Sequence, residues 1–83
     1  MDEVLSTATA TVERKAFTFE LRQNQQGRFV KIVEDVGGRR DAICIPVSGL
    51  NSFLVAFTSI MAANDQAGPP PAAVGGGAVA KRT

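Results

Sequence analysis

The sequence predicts an α+β fold: a four-stranded curved antiparallel sheet followed by one helix. Three observations predict it. Apolar and polar residues alternate over residues 16–23 and again over residues 28–35, glycine-containing turns bound these segments, and from residue 50 the apolar spacing changes to three and four. Alternation on period two is typical of strands, and the longer spacing is typical of an amphipathic helix. Strands followed by a helix favour the α+β class.

The first segment, Val4 to Val12, is rich in threonine, valine and alanine. Small residues occupy both of its faces, so its alternation is weak. We interpret it as an additional strand at the N-terminal edge of the sheet.

The next two segments form a hairpin. Phe17, Phe19 and Leu21 share one face of its first strand, and Val30 and Ile32 continue that face after the turn. Gly27 ends the connection, where a residue that accepts positive φ is useful.

The other face of the hairpin combines an aromatic ring with cations. If the apolar residues face the core, Arg22, Phe29 and Lys31 share the opposite, wetter side, and Arg28 flanks the ring along the chain. A large ring on a basic, solvent-facing surface is unusual.

A second glycine turn leads to a short strand over residues 41–46, which Pro46 ends because it has no N–H to donate. Ser48 stands where a helix N-cap is expected. The helix that follows carries an apolar stripe, which we assign to the core or a dimer interface: Leu50, Phe53, Leu54, Phe57, Ile60 and Met61.

The chain has 83 residues, which is enough for one small folded unit, and we place that unit at residues 1–63. Residues 64–83 are rich in proline, glycine and alanine, so we expect them to form a disordered tail. One helix covers only part of a four-stranded sheet, and a second copy is the simplest means of burying the rest. Cys44, the single cysteine, is interpreted as a packing residue. Uninterrupted apolar runs are far shorter than the roughly 20 residues that span a bilayer, and the acidic start is unlike a signal peptide, so we expect a soluble, intracellular chain.

Composition argues against catalysis. The chain has no histidine, no obvious carboxylate pair and no phosphate-binding glycine loop. We therefore expect that the chain is not an enzyme and that it binds no cofactor, metal, small-molecule substrate or membrane. The net charge is only +1, but residues 14–40 contain seven basic and three acidic side chains, which is either a modest footprint for phosphates or solvated surface.

Single-stranded nucleic acid suits the basic, aromatic side of the hairpin. Unpaired bases stack on aromatic rings while arginine and lysine neutralise the backbone. Phe29 supplies the ring, Arg22, Arg28 and Lys31 the charges, and Asn24 an amide for base edges. From the pattern alone, an alternative is equally favoured: Phe29 packs at a dimer contact or under the N-terminal segment. The alternative function is a protein–protein assembly module without direct nucleic-acid contact.

Two stretches resemble the PUR repeat of the Pur-alpha family, the purine-rich element binding proteins. Residues 14–34 contain Asn-x-x-Gly-Arg-Phe-x-Lys, and residues 40–54 contain Ile-x-x-Pro-x-Ser-Gly as in plant-type members. The resemblance covers roughly residues 4–61 and includes the same order of four strands and a helix.

The resemblance implies an intertwined homodimer, because one repeat is half of a PUR domain, or else a fragment of a longer multi-repeat protein. It implies binding of purine-rich single-stranded DNA or RNA, with transcriptional or RNA regulation in the nucleus, the cytoplasm or both. The family positions that contact nucleic acid fall on Arg22, Asn24, Phe29, Lys31 and Arg40. Gln25 and Gln26 replace residues that are commonly basic or small, which bears on affinity.

Overall fold

The computed structural model describes residues 1–71. The strands are β1 (Glu3–Val12), β2 (Lys15–Asn24), β3 (Gly27–Val36) and β4 (Arg39–Pro46). A 3₁₀ turn (Val47–Gly49) and helix α1 (Leu50–Ala67) follow. The strands form one open antiparallel sheet in the order β1-β2-β3-β4. The predicted order of four strands and a helix is confirmed, including the weak first strand.

The register divides the sheet into two faces. Arg22 of β2 lies opposite Phe29 of β3, which in turn lies opposite Pro46 of β4. Directly opposed residues of antiparallel strands point to the same side, so these three residues share what we call the polar face. One position along, Leu21, Val30 and Ile45 are aligned on the apolar face, as the sequence predicts.

Few side chains of the sheet are fully buried. Among the described residues the buried apolar side chains are Val33 and Ile45, each 9% exposed. Ile45 belongs to the apolar face, but Val33 lies on the polar face between Thr18 and Ala42. The predicted wetter side is therefore buried at its centre. Meanwhile Phe19 and Ile43, on the apolar face, remain 37% and 55% exposed.

The helix begins at Leu50, where its apolar spacing begins, but its approach differs from the sequence expectation. Ser48 lies inside the 3₁₀ turn, whose cap position is Pro46 and which has no side-chain cap hydrogen bond. The predicted N-cap role of Ser48 is therefore wrong, because the chain already turns at Val47, directly after the proline that ends β4.

The helix also ends later than predicted. It continues through Ala67, so residues 64–67 are helical and do not belong to a disordered tail. Asn64, Asp65 and Gln66 fit a helix, and the chain leaves it at Gly68, where φ is +81° and Pro69 follows. Residues 72–83 of the predicted tail lie outside the described residues.

The apolar stripe of α1 is largely solvent-exposed in the single chain. Phe53, Leu54, Phe57, Ile60 and Met61 are between 46% and 66% exposed, whereas Leu50 is partly buried. An exposed apolar surface of this kind marks an interaction site more often than ordinary surface.

The 3₁₀ turn and α1 together form a long apolar segment, which the short apolar runs of the sequence did not indicate. Val47–Ala67 spans 21 residues with a mean hydropathy of 1.3, enough to cross a bilayer by length and composition. Serine, threonine and asparagine residues keep the uninterrupted apolar runs of this segment short, but the mean hydropathy averages over them. One such helix is weak support for membrane insertion.

The two-residue turn between β3 and β4 provides a stability test. Gly38 has φ +88°, and an added Cβ would meet nothing within 4 Å, so Gly38→Ala costs only backbone strain. We expect urea denaturation at fixed protein concentration to show a loss of about 1 kcal/mol. Gly49→Ala is the control, because Gly49 has no positive φ and its added Cβ makes an ordinary 3.8 Å contact with Ile45. Equal stability of the two variants would contradict the strained turn.

Candidate nucleic-acid interface

Four of the six predicted binding residues lie together at one end of the polar face. Arg22 and Phe29 are directly opposed across β2 and β3, and Lys31 pairs with Glu20 one alternation further along. Asn24 is the last residue of β2 and pairs with Gly27 across the turn. The structure thus places a ring, two cations and an amide next to one another.

The other two predicted residues are placed differently. Arg28 lies opposite Gln23 on the apolar side of the register, where its guanidinium donates to Gln23 Oε1 at 2.9 and 3.2 Å. Arg40 is on the polar face but at the far end of β4, six residues from Pro46, a distance of about 20 Å along a strand. The sheet therefore does not bring Arg40 to the end that holds Phe29.

A shallow cavity of about 330 Å³ lies beside Phe29. The tip of the β2–β3 hairpin forms one side, and the end of β4 forms the other. Its lining residues are Asn24, Gln26, Gly27, Arg28, Phe29, Cys44 and Pro46. Arg28 thus borders this cavity in spite of its register position. The sequence analysis missed Cys44 and Pro46, because only the pairing of β3 with β4 places them beside Phe29.

Asn24 has a structural role that limits its capacity to recognise a base. Its Oδ1 accepts from the backbone N–H of Gln26 at 2.9 Å and of Gly27 at 3.2 Å, which caps the turn. Its Nδ2 donates to Asp2 Oδ1 at 2.9 Å. The amide oxygen is fully used, so a second N–H of Nδ2 is the group left for a ligand.

Arg22 is held by two carboxylates. Its Nε lies 2.9 Å from Glu20 Oε1, and its Nη1 lies 3.3 Å from Asp2 Oδ2. The hydrogen bond that Arg22 donates to Glu20, with the charge of Glu20 and the contact with Asp2, raises the pKa of Arg22 above its ordinary value, although desolvation opposes the shift. The charge of Arg22 is therefore largely neutralised within the chain.

Asp2 is the functional neighbour that sequence reasoning missed. It lies 20 residues from Arg22 in sequence, and only the antiparallel pairing of β1 with β2 brings the two together. The hydrogen bond from Asn24 is the largest cause that holds the pKa of Asp2 below its ordinary value of 3.8, and Arg22 contributes further.

The basic excess counted in the sequence is reduced by further pairing. Lys15 lies 3.0 Å from Glu34, and Arg40 lies 3.7 Å from Asp35. Within residues 1–71, Lys31 and Arg28 make no ion pair. Lys31 is thus the unpaired cation nearest to Phe29 on the polar face.

An open antiparallel sheet that presents an aromatic ring beside cations has the features of proteins that bind single-stranded nucleic acid on a sheet surface. Comparison with known proteins agrees with this class. The profile of the family described as PurA ssDNA and RNA-binding protein matches residues 1–64. The chain belongs to this family, which is a nucleic-acid-binding family and not an enzyme family.

A curated relative is Transcription factor Pur-alpha 1 of Arabidopsis thaliana. It is 41% identical over 56 residues, which cover 68% of this chain and 19% of the relative. The chain therefore spans about a fifth of the length of the curated relative that it matches.

The contact between Asp2 and Asn24 can be tested by a pH titration. A lowered pKa means that this contact stabilises the fold fully above about pH 4 and that the contribution is lost as the pH falls through the lowered pKa. We expect carboxyl ¹³C NMR to show that Asn24→Ala raises the pKa of Asp2 towards 3.8, and that Arg22→Gln also raises it. An Asp2 pKa that is unchanged in both variants would contradict the contact.

Proposed function

We propose that the chain binds purine-rich single-stranded DNA or RNA on the polar face, with a base stacked on Phe29. The observation that carries this proposal is the position of Phe29, a partly exposed ring that walls the cavity and lies directly opposite Arg22. Base–aromatic stacking contributes about 1–3 kcal/mol per base.

The cavity provides room for the stacked base. Pro46 and Phe29 supply apolar walls, and the free N–H of Asn24 is available to a base edge. A purine presents a larger π surface to the ring than a pyrimidine does, which supports the purine preference that the resemblance implies.

The phosphates of the strand would follow the cations. Lys31 is unpaired within the described residues, and Arg28 borders the cavity from the hairpin tip. Arg22 contributes once its internal partners are exchanged for a phosphate. Arg40, at the far end of the face, would contact a phosphate several nucleotides away, so its contribution requires a longer strand.

The biological setting is proposed from the relative. Its name describes a transcription factor, and we extend to this chain a role in transcriptional or RNA regulation, in the nucleus, the cytoplasm or both. Binding by this chain uses no cofactor, metal or small-molecule substrate in this proposal.

The working unit is proposed to be a homodimer. The exposed apolar stripe of α1 and the half-exposed Phe19 and Ile43 of the sheet support this, since each is apolar surface that a second copy can bury. Polar side chains interrupt the apolar surface of α1, which favours a protein partner over a lipid one. They are Asn51, Ser52, Thr58 and Ser59.

Stacking is tested with Phe29→Leu, which keeps an apolar side chain but removes the π face. Fluorescence anisotropy with a G-rich single strand should show affinity lower by about 5- to 150-fold, the equivalent of 1–3 kcal/mol. Phe29→Tyr is the matched control and should retain most of the affinity. Unchanged affinity in Phe29→Leu at equal stability would remove Phe29 from the interface.

Cys44 offers a second readout, because it is exposed and lines the cavity. Saturating oligonucleotide should slow alkylation of Cys44 by iodoacetamide, and heparin at equal occupancy should slow it less. Unprotected Cys44 in a saturated complex would place the base elsewhere. If instead no single strand binds while protein partners still do, the assembly-module function replaces this proposal.

The dimer is tested with Phe57→Asp, which places a charge in the apolar stripe. Sedimentation at micromolar concentration should show the wild type at twice the chain mass of 8.7 kDa and the variant at that mass itself. Thr58→Asp, with the same added charge on the next residue, is the control and should remain dimeric. A monomeric wild type that floats with lipid vesicles would favour a membrane role for α1.

A further inference from the structure

Asp2 and Glu3 are neighbouring acids that turn to opposite faces of the sheet. Asp2 reaches the polar face and contacts Arg22 and Asn24, whereas Glu3 Oε1 accepts from Gln23 Nε2 at 3.1 Å beside the other face. Asp2 directly precedes β1 and Glu3 begins it, yet of the two acids Asp2 is the one that contacts residues of the proposed binding surface.

The Asp2 carboxylate is held as a phosphate group would be held. Its two oxygens each receive a donor, Oδ2 from the guanidinium of Arg22 at 3.3 Å and Oδ1 from the amide of Asn24 at 2.9 Å. Arginine and asparagine side chains are common donors to the phosphates of nucleic acids, and a guanidinium binds either anion with the same geometry. An internal anion and a backbone phosphate therefore compete for the same donors.

We propose that Asp2 occupies the position of a phosphate of the bound strand and acts as a built-in competitor of nucleic acid for Arg22 and Asn24. This inference rests on the proposed function and adds its regulation. When the strand binds, its phosphate takes over the two donors and Asp2 leaves them.

The exchange is physically accessible. The side chains of Arg22 and Asp2 are 23% and 35% exposed, and ion pairs that water reaches are weak. The ladder between β1 and β2 shifts register between Val4 and Ser6, which separates the outermost pairs from the continuous pairing of Ser6 to Val12. The first residues can therefore release Arg22 while the rest of β1 stays paired.

Glu20 is a second carboxylate on Arg22 but does not provide the same exchange. It belongs to β2 itself, two residues from Arg22, and its Oε1 contacts Nε at 2.9 Å. That contact orients the guanidinium and leaves the Nη atoms for Asp2 or for a phosphate. Asp2 is thus the partner whose removal opens a phosphate position.

The experiment compares Asp2→Asn with Glu3→Gln, each of which removes one negative charge at the same end of β1. Anisotropy with a G-rich single strand at fixed salt should show affinity about three- to tenfold higher for Asp2→Asn and less than about twofold higher for Glu3→Gln. The slope of log affinity against log salt should stay nearly the same in wild type and Asp2→Asn, because Arg22 contacts the same phosphate in both complexes.

A double-variant cycle locates the effect. In an Arg22→Ala background, the gain from Asp2→Asn should be clearly smaller, since Asn24 is then the one remaining donor of the two for which the anions compete. Circular dichroism and urea denaturation of each variant confirm that the fold is retained. In the wild type, the carboxyl ¹³C signal of Asp2 should move on addition of the strand, and that of Glu3 should not.

The possible outcomes distinguish failure of the competitor role of Asp2 from failure of the proposed function. If Asp2→Asn and Glu3→Gln change the affinity for the single strand equally, or if Asp2→Asn lowers it, the competitor role is overturned and the proposed function stands. Absence of single-strand binding by both wild type and Asp2→Asn at low salt overturns the proposed function itself, and the competitor role with it.

Discussion

The register of the β2–β3 hairpin is the constraint on which the rest of the structure depends. Side chains alternate faces at every residue, so a slip of one position would exchange Phe29 with an apolar-face neighbour and move Arg22 away from it. Asn24 sets this register by accepting from two backbone amides of the turn. The same residue thus holds the turn, borders the cavity and binds Asp2, which couples the local fold to the electrostatics of the surface.

Charge on this surface is defined by pairing more than by composition. On this surface Arg22 and Arg40 each contact a carboxylate, and on the opposite face Lys15 contacts Glu34, so much of the basic excess is neutralised within the chain. Affinity for a polyanion then depends on which cations are unpaired and on the free energy that the paired cations need to exchange a carboxylate for a phosphate. We propose that stacking on Phe29 supplies the part of the binding free energy that salt does not screen. The exchange of Asp2 for a phosphate at Arg22 then determines the electrostatic part.

Much of the fold was predictable because the signals are local. Alternation located β2 and β3, glycines located the turns, and the change of spacing located α1. The start of α1 at Leu50 was predicted from the spacing, but the N-cap role of Ser48 and the end of the helix were predicted wrongly, since the 3₁₀ turn after Pro46 and the positive φ of Gly68 do not show in the apolar stripe. At the candidate site, the placement of Arg22 opposite Phe29 followed from counting residues along a hairpin. The contacts of Asp2 and the walls formed by Cys44 and Pro46 depend on the registers of β1 with β2 and of β3 with β4, which periodicity within a single strand does not report.

The central claim is that the base of a bound strand stacks on Phe29 at the polar face. Intermolecular nuclear Overhauser effects between a G-rich oligonucleotide and the isotope-labelled chain test it most directly. The account predicts contacts from guanine H8 to the ring protons of Phe29 and to Pro46. Contacts to Phe19 and Ile43 of the apolar face in place of Phe29 would contradict it.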